Sequence, residues 1–307
     1  MRLPPFNPYI AVLIGVISIS TSAIFVKLAS GVPASMIAFY RLFFAVLMMA
    51  PLILTKYRHE LKVIKQTDWL LAIGAGVFLA LHFILWFESL NHTSVASSVV
   101  LVSLQPIFAF LGTYLFFQER FSPGAIISMI ITVLGSVIIS WGDLQISFGN
   151  LLGDILALLG AIMVTVYFLF GQQARRRVSF MTYTFIVYFI SAVTLFIYNI
   201  VLQHEFFAYT TNHWLIFIAL AIFPTFLGHS LFNWALRWLS TSVISMAVVF
   251  EPIGATILAY FILDEMVTWS QWLGGTIVIF GLFLFVVSTT RKRQVTISHV
   301  KDDHPNH

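Results

Sequence analysis

The chain has 307 residues, of which 60% are apolar and 9% charged, with a formal net charge of +4 and no cysteine. A water-facing surface needs roughly a quarter of its residues charged, so an ordinary soluble domain pair is excluded and lipid is the expected solvent. Lack of cysteine excludes disulfides and thiolate metal sites, and the basic residues fall in short clusters between apolar runs, which points to membrane topology and away from nucleic acid.

A bilayer core of about 30 Å takes about 20 apolar helical residues per crossing. In chain order, apolar runs of that length occupy 9–29, 34–55, 69–88, 93–117, 122–141, 152–172, 180–202, 213–236, 241–263 and 269–289. The pattern predicts an all-α polytopic membrane protein with ten transmembrane helices; the runs are too continuous for barrel strands. The first run is a full span followed by many others, so it is not read as a cleavable leader. Only 56–68, which is basic, and 203–212 are sizeable loops.

With the N-terminus inside, the inner segments hold Arg2, Lys56, Arg58, Lys62, Lys65, Arg120, Arg175, Arg176, Arg177, Arg237, Arg291, Lys292, Arg293 and Lys301, fourteen of the sixteen basic residues. That bias predicts cytoplasmic termini in a plasma (inner) membrane. Lys27 falls at an outer helix end, where Glu88 and Asp154 are candidate partners, and Arg41 lies within a span.

The chain repeats itself. QPIFAFLGTYLFFQE in the fourth span and EPIGATILAYFILDE in the ninth align Pro106 with Pro252, Ala109 with Ala255, Tyr114 with Tyr260 and Glu119 with Glu265, and Gly135 and Gly281 keep the same offset. LHFILWF in the third span echoes GHSLFNW in the eighth and pairs His82 with His229. Thr93-Ser94 and Thr241-Ser242 open the fourth and ninth helices and read as N-caps. Five spans per unit is an odd number, so the second unit crosses upside down relative to the first. Inverted repeats mark secondary transporters, because two like halves can exchange conformations. The expected units are 1–145 and 146–290, followed by a basic, then polar, cytoplasmic tail over 291–307.

The chain resembles the EamA branch of the drug/metabolite transporter superfamily over about residues 9–289. FYRLFFAVL (Phe39 to Leu47) and the twice-repeated Pro-x-x-Ala…Glu segment with its following glycine carry the resemblance. It implies an inner-membrane carrier, commonly an exporter of amino acids or other small metabolites, that hydrolyses no ATP. Arg41 departs from the repeat, since Ile186 or Val187 aligns with it in the seventh span.

Pro106 and Pro252 are the clearest pointers to a site. A helical proline removes a donor and crowds the carbonyl four residues back, so Val102 and Val248 should have freed carbonyls. Loosened backbone at that depth is tolerated only against protein or a water-lined cavity; the plainer role is a helix kink. Glu251, opposite the neutral Gln105, is the main intramembrane acid, a candidate proton carrier or substrate contact, since a charge near the midplane costs about 3 kcal/mol. Arg41 is the main intramembrane cation, suited to a substrate carboxylate or to a structural pair, with Glu251 a candidate partner. His82 and His229, together with Trp86, Asn233 and Trp234, are candidate gate or cavity residues. No third ligand at metal spacing accompanies the histidines, and neither a metal nor another cofactor is expected.

Ser18, Ser20, Thr21 and Ser22, Ser97, Ser98 and Ser103, and Thr165 and Tyr167 read chiefly as hydroxyl glue between helices. The small faces of spans five and ten (Ser128 and Gly135, Gly274 and Gly281) suit scaffold helices or a homodimer contact. Trp69, Trp214, Trp269 and Trp272 fit an interfacial belt. Glu119 and Glu265 read as caps or interface pairs, with gate latches the sharper option. His299, His304 and His307 fall in a tail expected to be disordered.

With no Walker loop and no clustered polar face, ATP-driven pumping and enzymatic chemistry are disfavoured. The expected function is secondary export of a small molecule by alternating access: spans one to four and six to nine around a pocket, five and ten bracing it. A proton-coupled drug efflux carrier and a non-transporting receptor or scaffold are the alternatives.

Overall fold

Helix α1 (Pro8–Ile19) begins where Asn7 accepts the Tyr9 N–H at 3.0 Å and Pro8 takes the first position, where a missing N–H costs nothing. The computed structural model describes residues 4–93, 95–139, 141, 151–264 and 266–302, with backbone alone at 95–97, 263 and 290–302. Arg2, Ser94, Glu265, His304 and His307 lie outside the described residues, as do the side chains of Ser97, Arg291, Lys292, Arg293, His299 and Lys301. After an offset at Ser20 the first span continues as α2 (Thr21–Leu28). The hydroxyls of Ser18, Ser20 and Thr21 all return to carbonyls of their own helix, an alternative to the backbone ladder that loosens it.

The second span, α3 (Ala34–Leu52), contains Pro51. A π turn at Ile53–Tyr57 absorbs the lost donor, and the helix runs on as α4 (Arg58–Val63). The Thr55 hydroxyl covers the Pro51 carbonyl at 2.7 Å. Most of the segment expected as a basic loop is therefore helical. The remaining elements are α5 (Gln66–His92), α6 (Val95–Val102), α7 (Gln105–Phe117), α8 (Pro123–Ile139), α9 (Leu151–Ala174), α10 (Phe180–Val201), α11 (Thr211–Leu220), a π-helical stretch Ala221–His229, α12 (Ser230–Ala235), α13 (Thr241–Val248), α14 (Glu251–Leu263) and α15 (Trp269–Asp302). Among the described residues nine helical stretches are long and apolar enough to cross a membrane; α8, with 17 residues, is shorter. At 1.5 Å per residue α8 is about 25 Å long, close to one hydrocarbon thickness. The backbone of α15 continues as helix to Asp302, past the end of the last expected span.

Each half lends its first helix to the other. Helix α9 packs on α5, α6 and α7, and α1 packs in the corresponding way on the π stretch, α12, α13 and α14. Helix α3 lies against α10, and α8 against α15. Every such contact maps onto another when the halves are exchanged, which is the arrangement two inverted repeats produce.

The connections gather on two faces. On one, Glu60 accepts from the Ser179 N–H at 3.1 Å and from the Ser179 and Thr182 hydroxyls, and the Arg177 guanidinium holds Asp68 at 2.6 and 2.8 Å. Arg175, buried, donates to the Asn233 carbonyl at 2.8 Å. This is the basic face. On the opposite face Asn199 accepts from Ser35 at 2.6 Å and binds the His204 ring at 2.8 Å, and Thr93 donates to Asp154 at 2.9 Å. Glu88 meets Asn91 and His92 of its own helix, both at 3.2 Å.

Small residues of α8 and α15 are consumed by one another. A Cβ at Gly274 would stand 2.5 Å from the Gly135 carbonyl oxygen, and one at Gly281 would meet Thr132 Oγ1 at 2.3 Å. These faces thus brace the bundle within one chain. Trp269 and Trp272 are exposed as a belt requires, whereas Trp214 packs in an aromatic cluster with Tyr40 and Phe217.

Candidate functional site

The site is built where two broken helices cross. Helices α6 and α7 are separated by a turn at Ser103 and Leu104, and Pro106 sits in the first turn of α7. Helices α13 and α14 part at Val249 and Phe250, with Pro252 in the first turn of α14. Proline is well tolerated at a helix start. The two prolines thus mark the restart of half-helices, in keeping with the expected loosened backbone at a cavity and not with the plainer kink inside one continuous helix. The ends carrying Val102 and Val248, and the starts carrying Gln105 and Glu251, all face one central cavity.

Ile19, Ser22, Arg41, His82, Trp86, Val164, Phe168, His229 and Phe232 complete its wall. It leaves about 20 Å³, room for roughly one water molecule. Seven of the expected spans contribute. The seventh, α10, supplies support through Tyr188, whose hydroxyl donates to the Thr225 carbonyl at 3.2 Å and pairs with Ser230 at 2.9 Å.

Arg41 is fully buried on α3. Its Nε donates to Thr225 Oγ1 at 2.7 Å, its Nη1 donates to Ser22 Oγ at 3.1 Å, and its guanidinium lies 4.3 Å over the Phe83 ring. Neutral hydroxyls and a π face thus hold the cation, and Glu251, one candidate partner, shares the cavity with it. Nη2 has no hydrogen-bond partner among the described residues. The anchor follows from the sequence of the eighth span. Pro224 has no N–H for the Leu220 carbonyl, so the Thr225 hydroxyl donates there at 2.8 Å and turns its lone pairs to Arg41. The surrounding stretch, Ala221–His229, is π-helical, as irregular helix at functional sites often is.

The two histidines differ. His82 Nδ1 lies 2.9 Å from the Gly160 carbonyl. A carbonyl only accepts, so Nδ1 carries the hydrogen and Nε2 of the neutral ring is an acceptor. His82 stacks on Trp86 with ring centroids 5.6 Å apart. His229 Nδ1 and Trp86 Nε1 are buried without a partner among the described residues. Gln105 donates to Ser245 Oγ at 2.7 Å. Glu251 is buried and shares the cavity with Arg41.

Six of the eight candidate side chains, Arg41, His82, Trp86, Gln105, His229 and Glu251, therefore line one cavity. Asn233 and Trp234 do not. Asn233 takes the Tyr167 hydroxyl at 2.6 Å, and Trp234 stacks on Phe6 at 4.1 Å. Residues without an earlier role are Thr225, Tyr188, Phe168 and Phe232. Pro224 was the readable signal for the first, a mid-span proline with no counterpart in the third span. The expected caps also shift: Ser240 takes the N-cap position of α13, and the Thr241 N–H is held by Gln172 Oε1 at 2.7 Å. Among the described residues no group of three metal-ligating side chains occurs.

An all-helical membrane bundle, made of two like halves around a buried polar cavity, defines the transporter class of inverted-repeat proteins. The EamA-like transporter family matches the chain twice, over residues 7–141 and 151–287, and the chain belongs to that family. An uncharacterized transporter of Archaeoglobus fulgidus is 22% identical over 89% of this chain and 94% of its own length. The uncharacterized transporter YxxF of Bacillus subtilis is 26% identical over 87% and 86%. A solved crystal structure shares the fold with a TM-score of 0.74 at 17% identity, covering 92% of this chain and 98% of its own.

Proposed function

We propose that the chain is a secondary carrier that exports an amino acid or another small metabolite by alternating access. One observation carries this reading: Arg41 Nη2, Trp86 Nε1 and His229 Nδ1, buried and without partners among the described residues, belong to side chains lining one cavity to which both halves bring broken helices. A buried polar group left unpaired costs about 1–3 kcal/mol. A cargo bearing a carboxylate supplies acceptors for Arg41 Nη2 and Trp86 Nε1, with Arg41 as its main contact. Glu251 acts as the proton carrier or the contact for a cationic part of the cargo. The basic face lies in the cytoplasm with both termini, in the plasma membrane. The halves, residues 1–145 and 146–290, rock against each other, and 291–307 is a basic, then polar, tail. A homodimer through α8 and α15 would use their exposed sides, at Ile127, Leu134, Phe280 and Phe283.

The test is efflux from proteoliposomes loaded with pooled amino acids and metabolites, with and without a pH gradient. Flux of a carboxylate-bearing pool is expected, and Arg41→Leu should lower it by about 10–100-fold, the worth of a charge-assisted contact. Glu251→Gln should abolish the gradient-dependent part. Flux confined to apolar drugs would favour the drug efflux alternative. No flux from any pool would favour a receptor or scaffold.

A further inference from the structure

Helices α7 and α13 belong to opposite halves and run side by side from the cavity to the basic face. Four hydrogen bonds tie them along that length. Gln105 Nε2 donates to Ser245 Oγ at 2.7 Å beside the cavity, and further out Thr113 Oγ1 donates to Ser242 Oγ at 2.7 Å, since the Ser242 hydrogen goes to Glu119. At the end, Ser240 Oγ donates to Glu119 Oε1 at 3.0 Å and Ser242 Oγ donates to Glu119 Oε2 at 3.1 Å. Glu119 is set there by its own chain. Gln118 ends α7 in the left-handed conformation (φ 54°), and the Glu119 N–H returns to the Thr113 carbonyl at 3.1 Å. The reversal brings the carboxylate to the first turn of α13, where hydroxyl donors and the helix dipole both favour a negative charge.

We propose that Glu119 is the gating residue of the basic face: its carboxylate, gripping Ser240 and Ser242, latches the two halves together and must let go before cargo can enter the cavity from that side. The proposal rests on the alternating-access reading. Helices α7 and α13 cannot part while one carboxylate bonds both serines, whereas the bonds at Gln105 and Thr113 are neutral and weaker. The latch therefore sets how often this side opens.

The cysteine-free chain allows a direct test. A single reporter, Val164→Cys in the cavity wall, is labelled in proteoliposomes with a membrane-impermeant, sulfonate-bearing methanethiosulfonate applied to one face at a time. Glu119→Ala should speed labelling from the basic face at least about tenfold, the scale of one lost charge-assisted bond, and slow it from the opposite face. The double variant Ser240→Ala with Ser242→Ala removes the same bonds from the other half and should do the same, even where Glu119→Ala folds poorly. Glu119→Gln, which keeps an acceptor oxygen, should fall between. Faster labelling from both faces together would mean general loosening and would overturn the latch. Labelling from both faces in the parent that Glu119→Ala leaves unaltered would sink the latch alone. Labelling confined to one face in every variant, the parent included, would sink the carrier reading and the latch with it.

Discussion

Two crossings of broken helices flank the cavity, and their described residues meet through different contacts. On the basic face α7 meets α13 through hydroxyls, an amide and a carboxylate. On the opposite face α6 meets α14, and the described residues there make an apolar cluster of Val100, Val249 and Ile253 backed by Ile139 of α8 and Val278 of α15. The basic-face crossing has an apolar back too, with Phe110 and Met246 against Ala125 and Phe285. Both crossings thus lean on the α8–α15 brace; a polar seam joins the described residues of the basic-face crossing, while Ser94, Glu265 and the Ser97 side chain of the other crossing lie outside the described residues. Dispersion and hydrophobic contacts are non-directional and tolerate sliding. Hydrogen bonds hold one register. The hydrogen bonds thus hold the basic-face crossing in a register that the apolar packing behind it does not impose.

That contrast can be broken from several directions. The largest effect is expected from Gly254→Leu on α14. A Cβ there would stand 2.2 Å from Ser20 Oγ, so the longer side chain should force α14 away from α1 and α2 and cost about 1–3 kcal/mol by overpacking. Thermal unfolding in detergent measures it, and an unchanged melting temperature would refute the close approach. Val249→Ala removes two methyl groups from the apolar crossing and should cost about 1.5 kcal/mol at 0.8 kcal/mol per methyl. In the reporter assay it should raise labelling from the opposite face; a rise from the basic face instead would contradict the assignment of that cluster. Thr113→Val keeps shape but breaks one link of the seam, worth about 0.5–1.5 kcal/mol. Because Ser242 keeps Glu119, its labelling change should be smaller than that of Glu119→Ala, and an equal change would mean the seam acts as one unit. Asp68→Asn should matter least. Its partner Arg177 is held above its usual pKa by the Asp68 hydrogen bonds, yet is exposed and open to screening. Asp68 itself is buried, so high salt should narrow the melting-temperature gap between variant and parent by screening Arg177; a gap that salt leaves unchanged would mean that the hydrogen bonds to the buried carboxylate alone set it.

Legibility followed the physics of each feature. The span pattern, the duplication and the prolines were readable because hydropathy and repeat offset are properties of the chain in one dimension. Arg41, His82, Gln105, His229 and Glu251 stood out as polar residues at depth in lipid, where each is costly and so conspicuous. Ser22 was legible as a hydroxyl but not as the one of its group that reaches Arg41, because Ser18, Ser20 and Thr21 satisfy themselves locally. Asn233 looked like a cavity residue by its match to Trp86, and the Tyr167 hydroxyl took it instead. The small faces of α8 and α15 read as scaffold or homodimer contact because a small-residue stripe signals close packing without naming the partner, and the structure packs the two helices on each other.

The sequence by itself determined that this is an all-helical membrane protein of two like halves with a few costly polar groups at mid-depth. Only the tertiary structure decided which of those groups stay unpaired, that Thr225 anchors Arg41, and that a polar seam joins α7 to α13. The reason is range. A helix in lipid satisfies its own backbone, so its span is fixed by local composition. A side chain's partner depends on which helices meet, and Arg41 with Thr225, or Glu119 with Ser242, meet across more than a hundred residues of chain.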